Sequence, residues 1–166
     1  MPRKHPPGSL LRNIQLLLLD VDGVMTDGGI YYSNMGDEFK KFNIQDGYGI
    51  VKIQRTGIKV GIITGRVSHI VTRRAEELGI SEVYQNLDNK LEVYESIKKK
   101  LNLTDRMIAY IGDDEFDLPV LERAGFSATP ADAVPAVKKR VHYVCSRAGG
   151  HGAVREVIDL ILRYQK

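Results

Sequence analysis

The sequence contains no tryptophan and only one cysteine in 166 residues. A single thiol cannot close an internal disulfide, so Cys145 excludes the disulfide-stapled secreted scaffolds and suits a reducing cytoplasm. Its expected state is that of a buried small apolar residue. Long apolar stretches are also missing: runs such as Leu16–Leu19 fall far short of the ~20 residues of a membrane-spanning helix. That run leads into Asp20 and Asp22, not into a small-residue cleavage site, so no secretory signal and no membrane partner are expected. An excess of one charge is lacking too. The 24 basic and 21 acidic side chains leave a net charge of +3, and no basic run carries interleaved aromatics, which excludes a nucleic-acid footprint. No internal repeat or low-complexity segment occurs.

What remains is an ordinary globular balance, 43% hydrophobic and 27% charged, in a chain long enough to bury a core. Residues 1–13, opening Met-Pro-Arg-Lys-His-Pro-Pro-Gly, are expected to form a flexible leader, and 14–166 a single domain. Continuous apolar runs at 14–21, 59–63, 107–111 and 141–144 read as strands buried on both faces, with shorter ones at 83–84 and 125–128. Helical patterns lie between them at about 46–56, 67–78, 90–101, 116–124, 133–139 and 152–164. Strand and helix alternating over the whole length predicts an α/β fold, a central parallel sheet in a three-layer, Rossmann-like arrangement. One segment breaks the rhythm. Two β-rich stretches flank the turn cluster Ser33-Asn34-Met35-Gly36-Asp37, predicting a β-hairpin flap over about 27–43. Because it follows the first strand, it should project over that strand's C-terminal end, where open α/β sheets bind ligands.

Four local patterns carry chemistry. Asp20-Val21-Asp22-Gly23 lies at the exit of the first strand, where buried carboxylates demand a cation. Gly112-Asp113-Asp114-Glu115-Phe116-Asp117 follows another strand and suits an oxygen-ligand Mg²⁺ site. Thr64-Gly65-Arg66 is expected to place a hydroxyl and free backbone N–H groups at a helix start, a phosphate cradle. Lys90 opens the next helix. Each alone is weak, but in this order they converge on one edge of one sheet.

This order resembles the four motifs of the haloacid dehalogenase superfamily. The similarity extends through Phe42-Asn43-Ile44-Gln45-Asp46-Gly47-Tyr48-Gly49-Ile50 and Gly149-Gly150-His151-Gly152-Ala153-Val154-Arg155-Glu156. It covers about 14–164 and is closest in pattern to the 3-deoxy-D-manno-octulosonate 8-phosphate (KDO 8-phosphate) phosphatases of lipopolysaccharide precursor synthesis. The resemblance implies Asp20 as nucleophile, forming an aspartyl-phosphate, and Asp22 as acid and then base. It implies Mg²⁺ on the Asp20 carboxylate, the Asp22 carbonyl and Asp113, with Asp114 and Asp117 supporting from behind. Thr64 and Lys90 would hold the transferring phosphoryl group. The gaps between motifs hold no cap domain, so the resemblance implies a homotetramer whose hairpins help cover the site. The substrate implied is a phosphorylated keto-sugar acid, whose carboxylate would meet Arg66, Arg74 or Arg147, with Gly65 beside it. Surface pairing with Glu76 and Glu77 is the alternative for Arg73 and Arg74. Arginine after Thr64-Gly65 favours the eight-carbon acid over nine-carbon sialic-type acids. Two other readings stand beside this one: a two-component receiver domain, and a phosphatase scaffold that has lost catalysis and serves as a regulatory subunit.

Overall fold

The computed structural model describes residues 6 and 8–165. After a 3₁₀ turn at Gly8–Leu10, the chain runs β1 (Leu16–Leu19), β2 (Tyr31–Tyr32), β3 (Glu38–Phe39), α1 (Ile44–Gln54), β4 (Lys59–Ile63) and α2 (His69–Glu77). It continues through β5 (Glu82–Tyr84), α3 (Lys90–Lys100), β6 (Ile108–Ile111), α4 (Leu118–Leu121), β7 (Phe126–Thr129), α5 (Pro135–Lys138), β8 (Tyr143–Val144) and α6 (Ala153–Tyr164). Six strands form one sheet in the order β5-β4-β1-β6-β7-β8, every pair parallel.

The all-Leu β1 is buried along its length because it is central and covered on both faces. Its side chains alternate. Leu17 and Leu19 pack with Ile50, Ile53, Val71, Val157 and Ile161 of α1, α2 and α6. Leu16 and Leu18 pack with Tyr94, Ile97, Val120 and Val137 of α3, α4 and α5. The result is the expected three-layer sandwich. Chain order reverses at β1, with β4 on one side and β6 on the other, which opens a crevice at their C-terminal ends.

The expected leader differs in part. Residues 1–5 and 7 lie outside the described residues, but Leu11 and Ile14 are buried in the core and Leu11 O accepts a bond from Gln165 Nε2 at 2.9 Å. Packed structure therefore begins before residue 14. The hairpin is present but its ladder is short, pairing Tyr31 with Phe39 and Tyr32 with Glu38. Ser33 and Asp37 close the turn through both backbone and side chain, and a Thr26–Phe42 bridge closes the base. Ile30, Tyr31, Tyr32, Met35 and Phe39 are exposed on it. Cys145 is buried. Among the described residues no helix is long and apolar enough to cross a membrane.

Two segments of the resemblance meet here. The Asp46 carboxylate, in the first turn of α1, accepts the Arg155 N–H at 2.7 Å and so caps the start of α6. Burial raises its pKa against the opposing N–H bonds and nearby arginines. Gly149 lies against the Gly23 carbonyl so closely that any Cβ would collide with it. The glycine-rich tail thus braces the loop that follows β1.

Candidate active site

The loop after β1 is wound around one carbonyl. Val24, Met25 and Thr26 all donate their N–H to Val21 O, at 3.2, 2.9 and 3.1 Å. Thr26 Oγ1 accepts Gly23 N and Gly28 N, at 3.3 and 3.2 Å, and donates to Val21 O. Gly23 takes φ 84°, and a Cβ there would strike the Asp113 carboxylate. Glycine is required twice over, for its backbone angle and for the approach of the two acidic loops.

This winding presents Asp20, 6% exposed, at the sheet's central edge. Asn89 caps α3 by accepting Leu91 N at 3.0 Å, which sets Lys90 as the first helical residue. The Lys90 ammonium, 3% exposed, donates to Asp20 Oδ1 at 2.7 Å and to Asp117 Oδ1 at 2.6 Å. Asp117 is fully engaged: it also accepts the Tyr110 hydroxyl at 2.5 Å, and its other oxygen accepts Asp113 N and Asp114 N at 2.9 and 3.3 Å. Asp114 is exposed and caps the 3₁₀ turn after β6 by accepting Glu115 N. Thr64, buried, leaves β4 with its N–H bound to Tyr84 O. Because α2 begins only at His69, with Ser68 N already taken by Gln85 Oε1, the segment 64–68 is a loop, not a helix start.

The structure brings Asp20, Asp22, Thr64, Gly65, Arg66, Lys90, Asp113, Asp114 and Asp117 together around one open cleft of about 260 Å³. Phe116 also lines it, with the Lys90 ammonium 5.1 Å above its ring centroid. Arg74 and Arg147 are not brought there within the chain. Arg74 pairs with Glu77 at 3.2 Å and stacks on Phe42, and Arg73 also uses Glu77. Surface pairing therefore describes Arg73, 83% exposed, whereas Arg74 makes its pair from a half-buried position, 21% exposed. Arg147 donates to Gln45 at 3.1 Å in a separate cleft of about 590 Å³ beside α6. That larger cleft lacks a carboxylate cluster facing a buried lysine, so size does not locate the chemistry. Sequence reading missed Tyr110, Phe116 and Lys40, whose ammonium reaches Asp22 Oδ1 at 2.5 Å.

Carboxylate oxygens of Asp20, Asp113 and Asp117 lie within 4.8 Å of one another. Burial, reinforced by Asp117 and opposed by Lys90, raises the Asp20 pKa to about 7. Burial and the charges of Asp20, Asp117 and Asp114 push Asp113 up to about 8. Burial lowers the Lys90 pKa, but the two carboxylates outweigh it and the net shift is upward. Acidic oxygens that are this costly to ionise unaided fit a hard divalent cation, which relieves their repulsion. With Asp117 spent on Lys90, Tyr110 and two N–H groups, Asp20 and Asp113 are the carboxylates available to such an ion. The receiver layout fails here: the acidic residues stand at the exits of β1 and β6, and a hairpin follows β1.

Comparison with known proteins agrees with this geometry. The haloacid dehalogenase-like hydrolase family matches residues 71–158. The 3-deoxy-D-manno-octulosonate 8-phosphate phosphatase of Escherichia coli K12 is 49% identical over 92% of this chain and 81% of its own length. The crystal structure of the Yersinia pestis phosphatase of the same name superposes with TM-score 0.94 at 47% identity, covering 95% of this chain and 85% of that one. That from Moraxella catarrhalis, in complex with magnesium, phosphate and KDO, gives TM-score 0.93 at 42% identity, covering 95% and 91%. The chain belongs to the haloacid dehalogenase-like hydrolases and, within them, to the family of 3-deoxy-D-manno-octulosonate 8-phosphate phosphatases.

Proposed function

We propose that this chain is a Mg²⁺-dependent phosphatase that hydrolyses 3-deoxy-D-manno-octulosonate 8-phosphate to KDO and inorganic phosphate. The observation that carries the reading is the Asp20–Lys90–Asp117 ion cluster set against Asp113 in one cleft with Asp22, Thr64 and Arg66. Magnesium, held by the Asp20 and Asp113 carboxylates and the Asp22 carbonyl, supplies positive charge to the phosphoryl oxygens. Asp20 attacks phosphorus in line, and the ester oxygen leaves as Asp22 protonates it. Asp22 then takes a proton from the water that attacks the aspartyl-phosphate, releasing phosphate and restoring Asp20. Lys90 balances charge on Asp20 and the transferring group, while the Thr64 hydroxyl donates to a phosphoryl oxygen.

Arg66 is the arginine at the mouth, 42% exposed, with Nη2 on Glu38 Oε1 at 3.0 Å. Its guanidinium, which Glu38 and Asp22 hold at the cleft mouth, is the group that would meet a sugar-acid carboxylate. Arg66→Ala is expected to cut kcat/KM for the sugar-acid phosphate by about 10- to 100-fold, the worth of one charged hydrogen-bonded contact. Activity on p-nitrophenyl phosphate, which has no carboxylate, should fall by less than about 3-fold on the same reasoning. Equal losses on both substrates would assign Arg66 to the phosphate or the fold. The open cleft and the exposed apolar hairpin support a homotetramer in which neighbouring hairpins cover the mouth, and the single free Cys145 supports a cytoplasmic location.

Mg²⁺ binding should also register in stability, independently of turnover. Asp20 and Asp113 have folded-state pKa values of about 7 and about 8 against an ordinary 3.8. The folded protein therefore holds protons that the unfolded chain has released. Stability of the metal-free protein should fall as pH rises from about 4 to about 8. Mg²⁺ replaces those protons, so its stabilisation should be larger at pH 8 than at pH 6. At 100 times its Kd the gain is about 2.7 kcal/mol, a Tm rise of about 5–10 °C for a chain of this size. Thermal unfolding with EDTA and with Mg²⁺ measures this, and Asp113→Asn should flatten both the pH slope and the Mg²⁺ shift. An unchanged Tm with Mg²⁺ at pH 8 would contradict the site.

A further inference from the structure

We infer that Lys40, at the foot of the hairpin, is a positioning residue for Asp22 and couples the hairpin to the proton-transfer group. The inference rests on the phosphatase reading above. The hairpin is otherwise exposed, yet the Lys40 side chain is only 3% exposed, while its neighbour Lys41 is 58% exposed and lies near Asp27. The pleat separates them: Glu38 and Lys40 turn toward Arg66 and Asp22, whereas Phe39 and Lys41 are exposed.

The Lys40 ammonium donates to Asp22 Oδ1 at 2.5 Å and lies 3.5 Å from Glu38 Oε1. Glu38 is itself fixed, accepting Arg66 Nη2 at 3.0 Å and the Ser68 hydroxyl at 3.1 Å. Arg66 Nε stands 4.0 Å from Asp22 Oδ2. Among the described residues, Lys40 is the side chain hydrogen-bonded to the Asp22 carboxylate. Among the described residues no backbone N–H holds that carboxylate, in contrast to Asp117, which accepts two. The orientation of Asp22 is therefore set from the hairpin. Burying an ammonium to anchor a hairpin is a poor use of energy compared with an apolar side chain. A lysine aimed at the group that must reach first the leaving oxygen and then the attacking water has a reason to be there.

The test is Lys40→Met beside Lys40→Arg in the full chain with Mg²⁺, on both the sugar-acid phosphate and p-nitrophenyl phosphate. Phosphorylated Asp20 is trapped by acid quench, and folding is checked by circular dichroism and Tm. Lys40→Met is expected to lower kcat about 100-fold, as misplacement of a reacting group does, with KM changed less than about 3-fold. On p-nitrophenyl phosphate the first step needs no proton for the leaving group, whereas dephosphorylation needs Asp22 as base. The trapped phosphoenzyme fraction should therefore rise in Lys40→Met and return toward the wild-type level in Lys40→Arg. Unchanged kcat, a raised KM at unchanged kcat, or, on p-nitrophenyl phosphate, a lower kcat with no phosphoenzyme build-up would each overturn the inference. If Lys40→Met does not fold, Lys40→Gln is read the same way, and failure of both to fold would assign Lys40 to hairpin stability instead. Wild-type turnover of p-nitrophenyl phosphate without turnover of the sugar acid would reject the substrate reading while leaving this test in force.

Discussion

Asp20→Asn is expected to abolish phosphate release, lowering kcat by at least about 10⁴-fold, the scale on which removal of a nucleophile acts. The amide keeps the shape and one acceptor oxygen for Lys90 but cannot form an acyl-phosphate that water then cleaves. The fold should not suffer. Asp20 is buried beside Asp117 and Asp113, and ionising it there is costly enough to raise its pKa to about 7. Removing that charge relieves repulsion, while Lys90 retains Asp117 at 2.6 Å. The metal-free variant should therefore melt at or above the wild-type Tm, and the Mg²⁺-dependent rise should shrink. Residual activity above about 1% of wild type, which is far more than a missing nucleophile leaves, would remove Asp20 from that role.

Lys90→Met should damage stability and turnover together. The ammonium is buried and shared by two carboxylates, and its loss leaves both without their cation. Breaking a buried ion pair from one side costs about 3–5 kcal/mol, or a Tm lower by roughly 6–20 °C at this chain length. The loss should shrink as pH falls, because a protonated Asp20 needs no counter-charge. Turnover should drop about 10²- to 10³-fold, the usual cost of one charge-stabilising donor. Urea unfolding at pH 8 and pH 5.5, with kcat measured alongside, tests both halves. A variant as stable as wild type at pH 8 would contradict the geometry. One that is less stable but fully active would confine Lys90 to holding the fold.

The contrast between Lys40 and Lys90 shows what the sequence makes legible. Asp20, Thr64 and Asp113 each follow a buried apolar run, and Lys90 opens the helix after β5. In an all-parallel sheet such exits all face one edge, so order along the chain becomes convergence in space. The layers followed from the same alternation, and most helix positions fell within two or three residues of those expected. Lys40 and Lys41 look equivalent in sequence, and only the pleat of a short hairpin sends one inward. Tyr110 is hidden inside an apolar run, and its hydroxyl matters because β6 aims it at Asp117. Arg74 and Arg147 are the reverse case: arginines near the motifs whose chain partners, Glu77 and Gln45, hold them elsewhere. Burial of Leu11 depended on α6 covering it, which no local pattern announces.

The most direct test is phosphate release from a panel of phosphate monoesters with Mg²⁺ and again with EDTA. A large kcat/KM preference for 3-deoxy-D-manno-octulosonate 8-phosphate over nine-carbon sugar-acid phosphates and p-nitrophenyl phosphate, lost with EDTA, is the expected result. Turnover that survives EDTA, or no release from any ester, would contradict it.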